Sequence, residues 1–164
     1  MARVYLSIGS NIQREMNIRA GLDALFKHFG ELDCSPVYES VAVGFKGDSF
    51  YNLVVGFDTE KKITVVAKTL RDIEDQQQRV RDGVKFSSRT LDLDLILYDD
   101  LVLNEEHLQI PRDEIEKYAF VLQPLADIAP TKRHPVLKRS YADMWAAFDP
   151  DKVAQFVVDF DWRP

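Results

Sequence analysis

The chain has 164 residues, 46% of them hydrophobic and 29% charged, which argues against a disordered or fibrous protein and is enough for one folded domain with a single core. Its 27 acidic residues outnumber its 21 basic residues, and the net charge of -6 argues against general binding to nucleic acid. No stretch approaches the ~20 apolar residues of a membrane span and the first residues lack the apolar core of a signal peptide, so we expect no membrane association and a cytoplasmic location.

Periodicity in the first half of the chain predicts a strand, an amphipathic helix and two successive strands. An alternating run ends at a Gly-Ser-Asn turn, apolar residues then recur at helical spacing as far as Gly30, and two extended runs flank a glycine-containing loop. The predicted elements are strand 4–8, helix 16–29, strand 32–43 and strand 50–57. The only cysteine, Cys34, permits no disulfide framework and is expected to be a small buried residue.

The second half predicts a helix from Thr64 to Arg81, capped by Thr64, and then an alternating strand at 90–98. A short strand pair at 101–103 and 108–110, a turn or short helix at 113–118 and a last helix at 140–148 follow. The order strand, helix, strand, strand, helix, strand is typical of ferredoxin-like folds. We therefore predict the α+β class: a ferredoxin-like βαββαβ core with additional strands and helices flanking a mainly antiparallel sheet, as a single domain over residues 1–164.

The most informative stretch is Arg-Thr-Leu-Asp-Leu-Asp-Leu-Ile-Leu at 89–97. Because side chains alternate along a strand, Asp92 and Asp94 share one face, and the leucines at 91, 93, 95 and 97 pack on the other. Two adjacent carboxylates repel each other, and Mg²⁺ relieves that repulsion by binding one or two carboxylates together with substrate phosphates. On the pair alone, a solvated sheet face is an equal alternative.

Cations precede this pair at Arg79, Arg81, Lys85 and Arg89. Phosphate oxygens bind well to guanidinium groups and Mg²⁺ together, so the surroundings favour a phosphate site over a solvated face. The chain has no Gly-x-x-x-x-Gly-Lys-Ser/Thr loop, which excludes a P-loop as the source of phosphate binding. The three histidines are scattered without metal-ligand spacing.

The run Ser-Arg-Thr-Leu-Asp-Leu-Asp-Leu-Ile at 88–96 resembles the signature of 6-hydroxymethyl-7,8-dihydropterin pyrophosphokinases. Ordered supporting matches lie at 8–11, 51–52, 74–81 and 120–125, and the resemblance spans residues about 3 to 130. It implies transfer of pyrophosphate from ATP to the hydroxymethyl group of the pterin, with release of AMP, in folate biosynthesis.

The resemblance also implies roles for individual residues on the nucleotide side. Asp92 and Asp94 would be catalytic and would bind two Mg²⁺ ions that bridge the triphosphate. Arg79 and Arg89 would be catalytic through their contacts with phosphate oxygens. Glu74 would help to position the nucleotide, and Arg112, which stands where the family usually has His, is predicted to contact the nucleotide phosphates.

On the pterin side, the resemblance implies that Phe50 and Phe120 sandwich the ring and that Asn52 binds its amide edge. Backbone groups of Ala42, Val43 and Gly44 would complete the pocket. For the two phenylalanines, the alternative to a binding role is packing in the core. The amide of Asn52 lies inside an apolar strand and needs polar partners when it is buried.

Two other functions stay open. The chain departs from the family's usual residues at six loop positions, Asp82, Phe86, Ser87, Arg112, Asp113 and Tyr118, which leaves room for a paralogue that acts on a differently substituted pterin. A ferredoxin-like binding or regulatory module is the second alternative, since a fold does not fix a function. Such a module has no use for the aspartate pair, which favours the enzyme.

Overall fold

A computed structural model describes residues 1–40, 49–80 and 90–164, without the side chains of residues 79 and 80. The α-helices in this part of the chain are α1 (Arg14–Phe29), α2 (Ile63–Val80), α3 (Glu114–Lys117), α4 (Ala119–Ile128) and α5 (Tyr141–Ala146). The strands are β1 (Ala2–Ser10), β2 (Asp33–Cys34), β3 (Val37–Ser40), β4 (Phe50–Thr59), β5 (Asp92–Tyr98), β6 (Leu103–Glu105), β7 (Leu108–Ile110) and β8 (Gln155–Val158). No described helix has the length and apolar character needed to cross a membrane.

The main sheet has the strand order β5-β1-β4-β3-β8, and every pair of neighbours in it is antiparallel. β2 pairs with the far end of β4, while β6 and β7 form a separate two-stranded sheet. If β8 is left aside and β2 and β3 are counted as one strand, the order β5-β1-β4-β3 remains, which is the order expected for a βαββαβ core. The predicted α+β class with a mainly antiparallel sheet is therefore confirmed.

Alternation along the central strand β1 divides the core into two layers. Val4, Leu6 and Ile8 point to the face covered by α1 and α2, and all three are fully buried. Tyr5 points to the opposite face, where it packs in a second cluster with residues of α4 and α5. The members that these two helices contribute to the second cluster are Val121, Leu122, Leu125, Ala126, Tyr141 and Met144.

The segment predicted as one strand at 32–43 is interrupted at Ser35 and Pro36. Pro36 has no N–H to donate to a ladder, and Ser35 bonds to both polar backbone groups of Val54 instead, its N–H donating to the carbonyl and its Oγ accepting from the N–H, each at 2.9 Å. The two short strands β2 and β3 result. The prediction that Cys34 is buried was wrong, because it lies exposed on the two-residue strand β2.

A bulge in β5 changes the direction of its last side chains. Tyr5 lies opposite Leu97 but Leu6 lies opposite Leu95, so Ile96 is the extra residue. Leu97 consequently joins Tyr5 in the second cluster, whereas Leu93 and Leu95 belong to the first. The prediction that Leu97 shares a face with the other leucines was therefore wrong.

Three elements of the C-terminal third were not predicted: α4, β8 and a short 3-10 helix at Pro150–Lys152. α4 contains Pro124, which conceals a helix in the sequence, and β8 pairs with β3 more than a hundred residues earlier in the chain. After β8 the chain crosses α1, where Trp162 Nε1 donates to Asp23 Oδ1 at 2.9 Å. Smaller differences concern the start of α2, which begins at Ile63 rather than at a Thr64 cap, and β6, which begins at Leu103.

Candidate active site

A cavity of about 830 Å³ opens on the sheet face that also carries α4. Its floor comes from three neighbouring strands, because Gly9 of β1 lies opposite both Asn52 of β4 and Asp92 of β5. Its walls come from the start of β4, from α3 and from the residues around the start of α4. The lining residues are Ser7, Gly9, Ser40, Phe50, Asn52, Asp92, Asp94, Arg112, Asp113, Glu114, Lys117, Tyr118 and Phe120.

The two aspartates of β5 project into this cavity from one face of the strand. Asp92 is paired with Gly9 and Asp94 with Ser7, so each carboxylate lies beside a residue that is too small to fill the space above the sheet. Both are half-buried, and Leu93 between them is buried on the other side. The expected alternation thus holds in this part of the strand and leaves room for a ligand next to the pair.

Glu74 of α2 lies behind the aspartates and does not line the cavity. β5 is an edge strand, and the Leu93 N–H donates to Glu74 Oε2 at 2.7 Å. Burial raises the pKa of Glu74 to about 7; the Leu93 hydrogen bond opposes this shift, and the nearby Asp92 and Asp94 carboxyl groups add to it. Glu74 therefore satisfies an otherwise unpaired backbone donor next to the aspartate pair.

The aspartates do not form a complete metal cage. Among the described residues, no three His, Cys, Asp or Glu side chains are arranged to hold a metal ion. The donors present are two carboxylates beside open space, which suits Mg²⁺ because this ion commonly takes only one or two carboxylates and fills its other positions with phosphate oxygens and water.

Asn52 is held in place by its neighbours on the sheet. It is buried, and its Nδ2 donates to Ser40 Oγ at 2.8 Å. A Cβ atom added to Gly9 would lie only 2.8 Å from Asn52 Oδ1, which is too close for an unshifted side chain. The absence of a side chain at Gly9 is therefore a condition for the observed position of the Asn52 amide.

Two phenylalanines reach the cavity from different elements. Phe50 begins β4 and Phe120 lies in the first turn of α4, and both are half-buried rather than fully enclosed in the core. The Phe120 ring stacks on the exposed Tyr118, with the ring centroids 5.0 Å apart and the planes inclined by 15°. The cavity thus has aromatic surfaces that a planar ligand can contact.

Charged groups on the wall are paired with each other. Arg112 Nη2 lies 2.5 Å from Glu114 Oε1, and Lys117 Nζ lies 2.8 Å from Asp113 Oδ2. Burial opposes the charge of Arg112, yet the Glu114 carboxylate and the fields of Asp94 and Asp113 raise its pKa above the usual value. Among the described lining residues, four carboxylates face two cations, so a polyphosphate would need additional positive charge to enter.

Sequence reasoning located a large part of this cavity. It assigned a role in binding or catalysis to six of the described lining residues: Phe50, Asn52, Asp92, Asp94, Arg112 and Phe120. The predicted Arg89, Ala42, Val43 and Gly44 lie outside the described residues, and only the backbone of Arg79 is described, in α2. The contributions of Gly9 and Ser40 to the cavity were not predicted. They become visible only from the pairing of β1, β3 and β4.

The chain resembles known proteins in both sequence and structure. The sequence model of the family described as 7,8-dihydro-6-hydroxymethylpterin-pyrophosphokinase (HPPK) matches residues 5–130. A 2-amino-4-hydroxy-6-hydroxymethyldihydropteridine pyrophosphokinase from Pseudomonas aeruginosa is 38% identical over 138 residues, which cover 81% of this chain and 84% of that protein. The folic acid synthesis protein fol1 of Schizosaccharomyces pombe is 36% identical over 135 residues, 80% of this chain but 18% of that protein.

Among solved structures, wild-type Plasmodium falciparum HPPK-DHPS has a similar fold, with a TM-score of 0.71 at 14% sequence identity. The match covers 88% of this chain and 44% of that one, so the chain spans less than half of the solved protein. At this identity the likeness concerns the fold alone.

Proposed function

The chain belongs to the 7,8-dihydro-6-hydroxymethylpterin-pyrophosphokinase family, and on this premise we propose that it transfers pyrophosphate from ATP to 6-hydroxymethyl-7,8-dihydropterin in folate biosynthesis. The observation that carries the proposal is that Asp92 and Asp94 share one cavity with Phe50, Asn52 and Phe120. This arrangement would allow a polyphosphate and a flat aromatic ring to bind side by side. This arrangement suits a transferase better than a binding module, for which the aspartate pair would have no use.

Recognition of the pterin is assigned to the aromatic part of the cavity. Phe50 and Phe120 would contact the two faces of the ring, and such aromatic contacts contribute about 0.5–1.5 kcal/mol beyond the area that they bury. Asn52 would bind the amide edge of the pterin. Because Ser40 Oγ already accepts a hydrogen bond from Nδ2, Oδ1 and the second Nδ2 hydrogen are the groups that can meet the ligand.

Nucleotide binding is assigned to the part of the cavity around β5. We propose that Asp92 and Asp94 hold two Mg²⁺ ions, because the described cavity wall is negatively charged and its carboxylates adjoin open space. When bound, Mg²⁺ would offset phosphate charge and polarise the transferred group. Arg79, Arg89 and Arg112 would meet phosphate oxygens, and Glu74 would keep the edge of β5 in place behind the aspartates.

The reaction forms one bond and breaks one. The hydroxymethyl oxygen attacks the β-phosphorus of ATP in line, while the bond from that phosphorus to the oxygen bridging to the α-phosphorus breaks. AMP leaves with the electron pair, and the hydroxyl proton is released. Since catalysis of phosphoryl-type transfer comes mainly from positioning and charge neutralisation, the contribution of the chain is to hold the two substrates in line in a site of matched charge.

A coupled assay of AMP release tests the proposal. The enzyme with ATP, Mg²⁺ and 6-hydroxymethyl-7,8-dihydropterin should form AMP and the pterin diphosphate in equal amounts, and chelation of Mg²⁺ should abolish the reaction. Unchanged AMP formation in the chelated enzyme would contradict the metal assignment. Turnover only with a differently substituted pterin would instead identify a paralogue, and absence of turnover with any pterin would refute the assignment.

We further propose a cytoplasmic location, which suits a chain with a single unpaired cysteine.

A further inference from the structure

We propose that Gln155, on the C-terminal strand β8, is a positioning residue for the pterin-binding wall. The proposal rests on the proposed function and concerns a strand that lies beyond the residues matched by the family model, 5–130. Gln155 does not line the cavity, so it would act through the residues that do.

The Gln155 side chain joins β8 to the first turn of α4. Its Nε2 donates to the Ala119 carbonyl at 3.1 Å and to Gln123 Oε1 at 2.7 Å, which uses both hydrogens of the amide nitrogen. Ala119 directly precedes Phe120. The amide therefore fixes the backbone next to the aromatic side chain assigned to one face of the pterin.

The first turn of α4 depends on this external contact because its internal support is incomplete. The residue before the helix, Tyr118, provides no side-chain cap. Pro124 has no N–H to donate to the Phe120 carbonyl one turn earlier, so this carbonyl lacks its usual helical hydrogen bond. Support at the start of the helix comes from the Tyr118 carbonyl, which accepts from the N–H groups of Val121 and Leu122. The bonds from Gln155 to Ala119 and Gln123 instead tie this turn to the sheet.

Gln155 is also adjacent to the polar side of the pterin site. In the pairing of β3 with β8, Gln155 lies directly opposite Ser40. Ser40 Oγ in turn accepts the hydrogen bond from Asn52 Nδ2. One residue of β8 thus adjoins both the aromatic wall at Phe120 and the hydrogen-bonded pair that orients Asn52.

Steady-state kinetics of Gln155→Leu test the proposal. Loss of hydrogen bonds of ordinary strength at the base of the wall should raise the KM for the pterin about three- to tenfold. The KM for ATP and kcat should change less than about twofold, because Asp92 and Asp94 lie on the opposite edge strand of the core sheet. The matched control is Val157→Thr, on the same face of β8 but exposed.

A second variant separates hydrogen bonding from shape. Gln155→Glu keeps the size of the side chain, but a carboxylate cannot donate to the Ala119 carbonyl, so the pterin KM should rise in this variant as well. A residue with only a structural role would lower Tm and leave the pterin KM unchanged in both variants, and that result would overturn the proposal. Pterin affinity should also be measured by calorimetry in the absence of ATP, because this measurement does not require turnover. If the wild-type protein binds the pterin but releases no AMP, the proposed function is refuted while the proposal for Gln155 can still be tested.

Discussion

The sheet face that carries α4 has two halves of opposite character, although β1, β4 and β5 build both. In one half Tyr5, Val54 and Leu97 are buried under α4 and α5. In the other half the residues on the same face are Ser7, Gly9, Asn52, Asp92 and Asp94, and they line the cavity. The strands continue from one half into the other without a change of pairing partner.

The difference shows how a site is made without a change of fold. Backbone alternation selects which positions of β1 and β4 face this side in both halves, and in β5 the bulge at Ile96 shifts the selection by one residue. Large apolar side chains then close one half against the helices, while small and polar ones leave the other half open. Stability should therefore reside mainly in the apolar half and chemistry in the polar half, and substitutions can separate the two.

The largest expected effect is on stability and comes from the apolar half. Leu125 of α4 is fully buried in the second cluster, so Leu125→Ala leaves a cavity and should lower the free energy of unfolding by about 2–5 kcal/mol. Urea denaturation measures this, with the exposed Leu137→Ala as control, for which a change within about 0.5 kcal/mol is expected. The separation of stability from chemistry between the two halves would be contradicted if Leu125→Ala were as stable as the wild type, or if the folded variant lost pterin affinity.

The next effect is on turnover and comes from the polar half. Asp94→Asn keeps the shape of the side chain and removes its charge, so kcat should fall roughly 10²-fold, which corresponds to about 2.7 kcal/mol of activation free energy. Tm and pterin affinity should remain close to those of the wild type, because Phe50, Asn52 and Phe120 do not depend on this carboxylate.

The control for that experiment is Asp72→Asn, which removes the same charge from an exposed position on α2. Turnover of Asp94→Asn close to that of the wild type at limiting Mg²⁺ would show that the aspartate pair is a solvated strand face. The proposed metal site would then have no basis.

Local patterns predicted the part of the fold that depends on neighbours in the sequence. The alternation around Asp92 and Asp94 placed both on one face, but it failed at Leu97 because the bulge at Ile96 arises from pairing with β1. α4 was missed because Pro124 interrupts its pattern and because it is buried on several sides, which removes the helical period. β8 is only four residues long, and its position depends on contact with β3.

The same distinction between local sequence patterns and contacts with distant segments applies to the site. Side chains with a distinctive chemistry, such as Asp92, Asp94 and Asn52, could be named from the sequence and its resemblance to a family. The functions assigned to Gly9 and Gln155 come from space and hydrogen bonds that exist only once strands are paired. The sequence marked Gly9 only as the start of a turn and as part of a family match, and no local signal marks Gln155, because glutamine near a terminus is common.

A smaller effect concerns the boundary between the halves, where Phe120 belongs to α4 but faces the cavity. Phe120→Ala should weaken pterin binding by about 0.5–1.5 kcal/mol beyond any change that lost stability explains. Calorimetry on the folded variant measures this change in affinity. The comparison variant is Tyr118→Ala, which removes the exposed ring stacked on Phe120 and shows how much of the effect requires the stacked pair. An unchanged pterin affinity with a lower Tm would assign Phe120 to the core.

The smallest effect is a pH dependence of stability that originates beside the apolar half. His134 is buried next to Tyr141 of α5, with the two ring centroids 6.4 Å apart. Its Nδ1 accepts hydrogen bonds from the N–H groups of Val136 and Leu137, each at 3.1 Å, so the neutral ring carries its proton on Nε2. Protonation of Nδ1 would break both bonds.

Burial lowers the pKa of His134, and the field of Glu116 only partly opposes this shift. Below the ordinary histidine pKa of about 6.5 the unfolded chain therefore binds more protons than the folded one, so the stabilisation present above this pH is lost as the pH falls. The contribution of His134 to the free energy of unfolding should therefore be smaller at pH 5.5 than at pH 7.5, whereas Glu74, whose pKa burial raises to about 7, contributes in the opposite direction over this range. His134→Asn retains an acceptor near the position of Nδ1 and does not titrate, so a change from pH 7.5 to pH 5.5 should lower the free energy of unfolding of the wild type relative to that of this variant, whereas the exposed His28→Asn should behave as the wild type does. An equal pH dependence in His134→Asn and the wild type would show that other groups control the acid stability and that this half of the face has no titrating contact of its own.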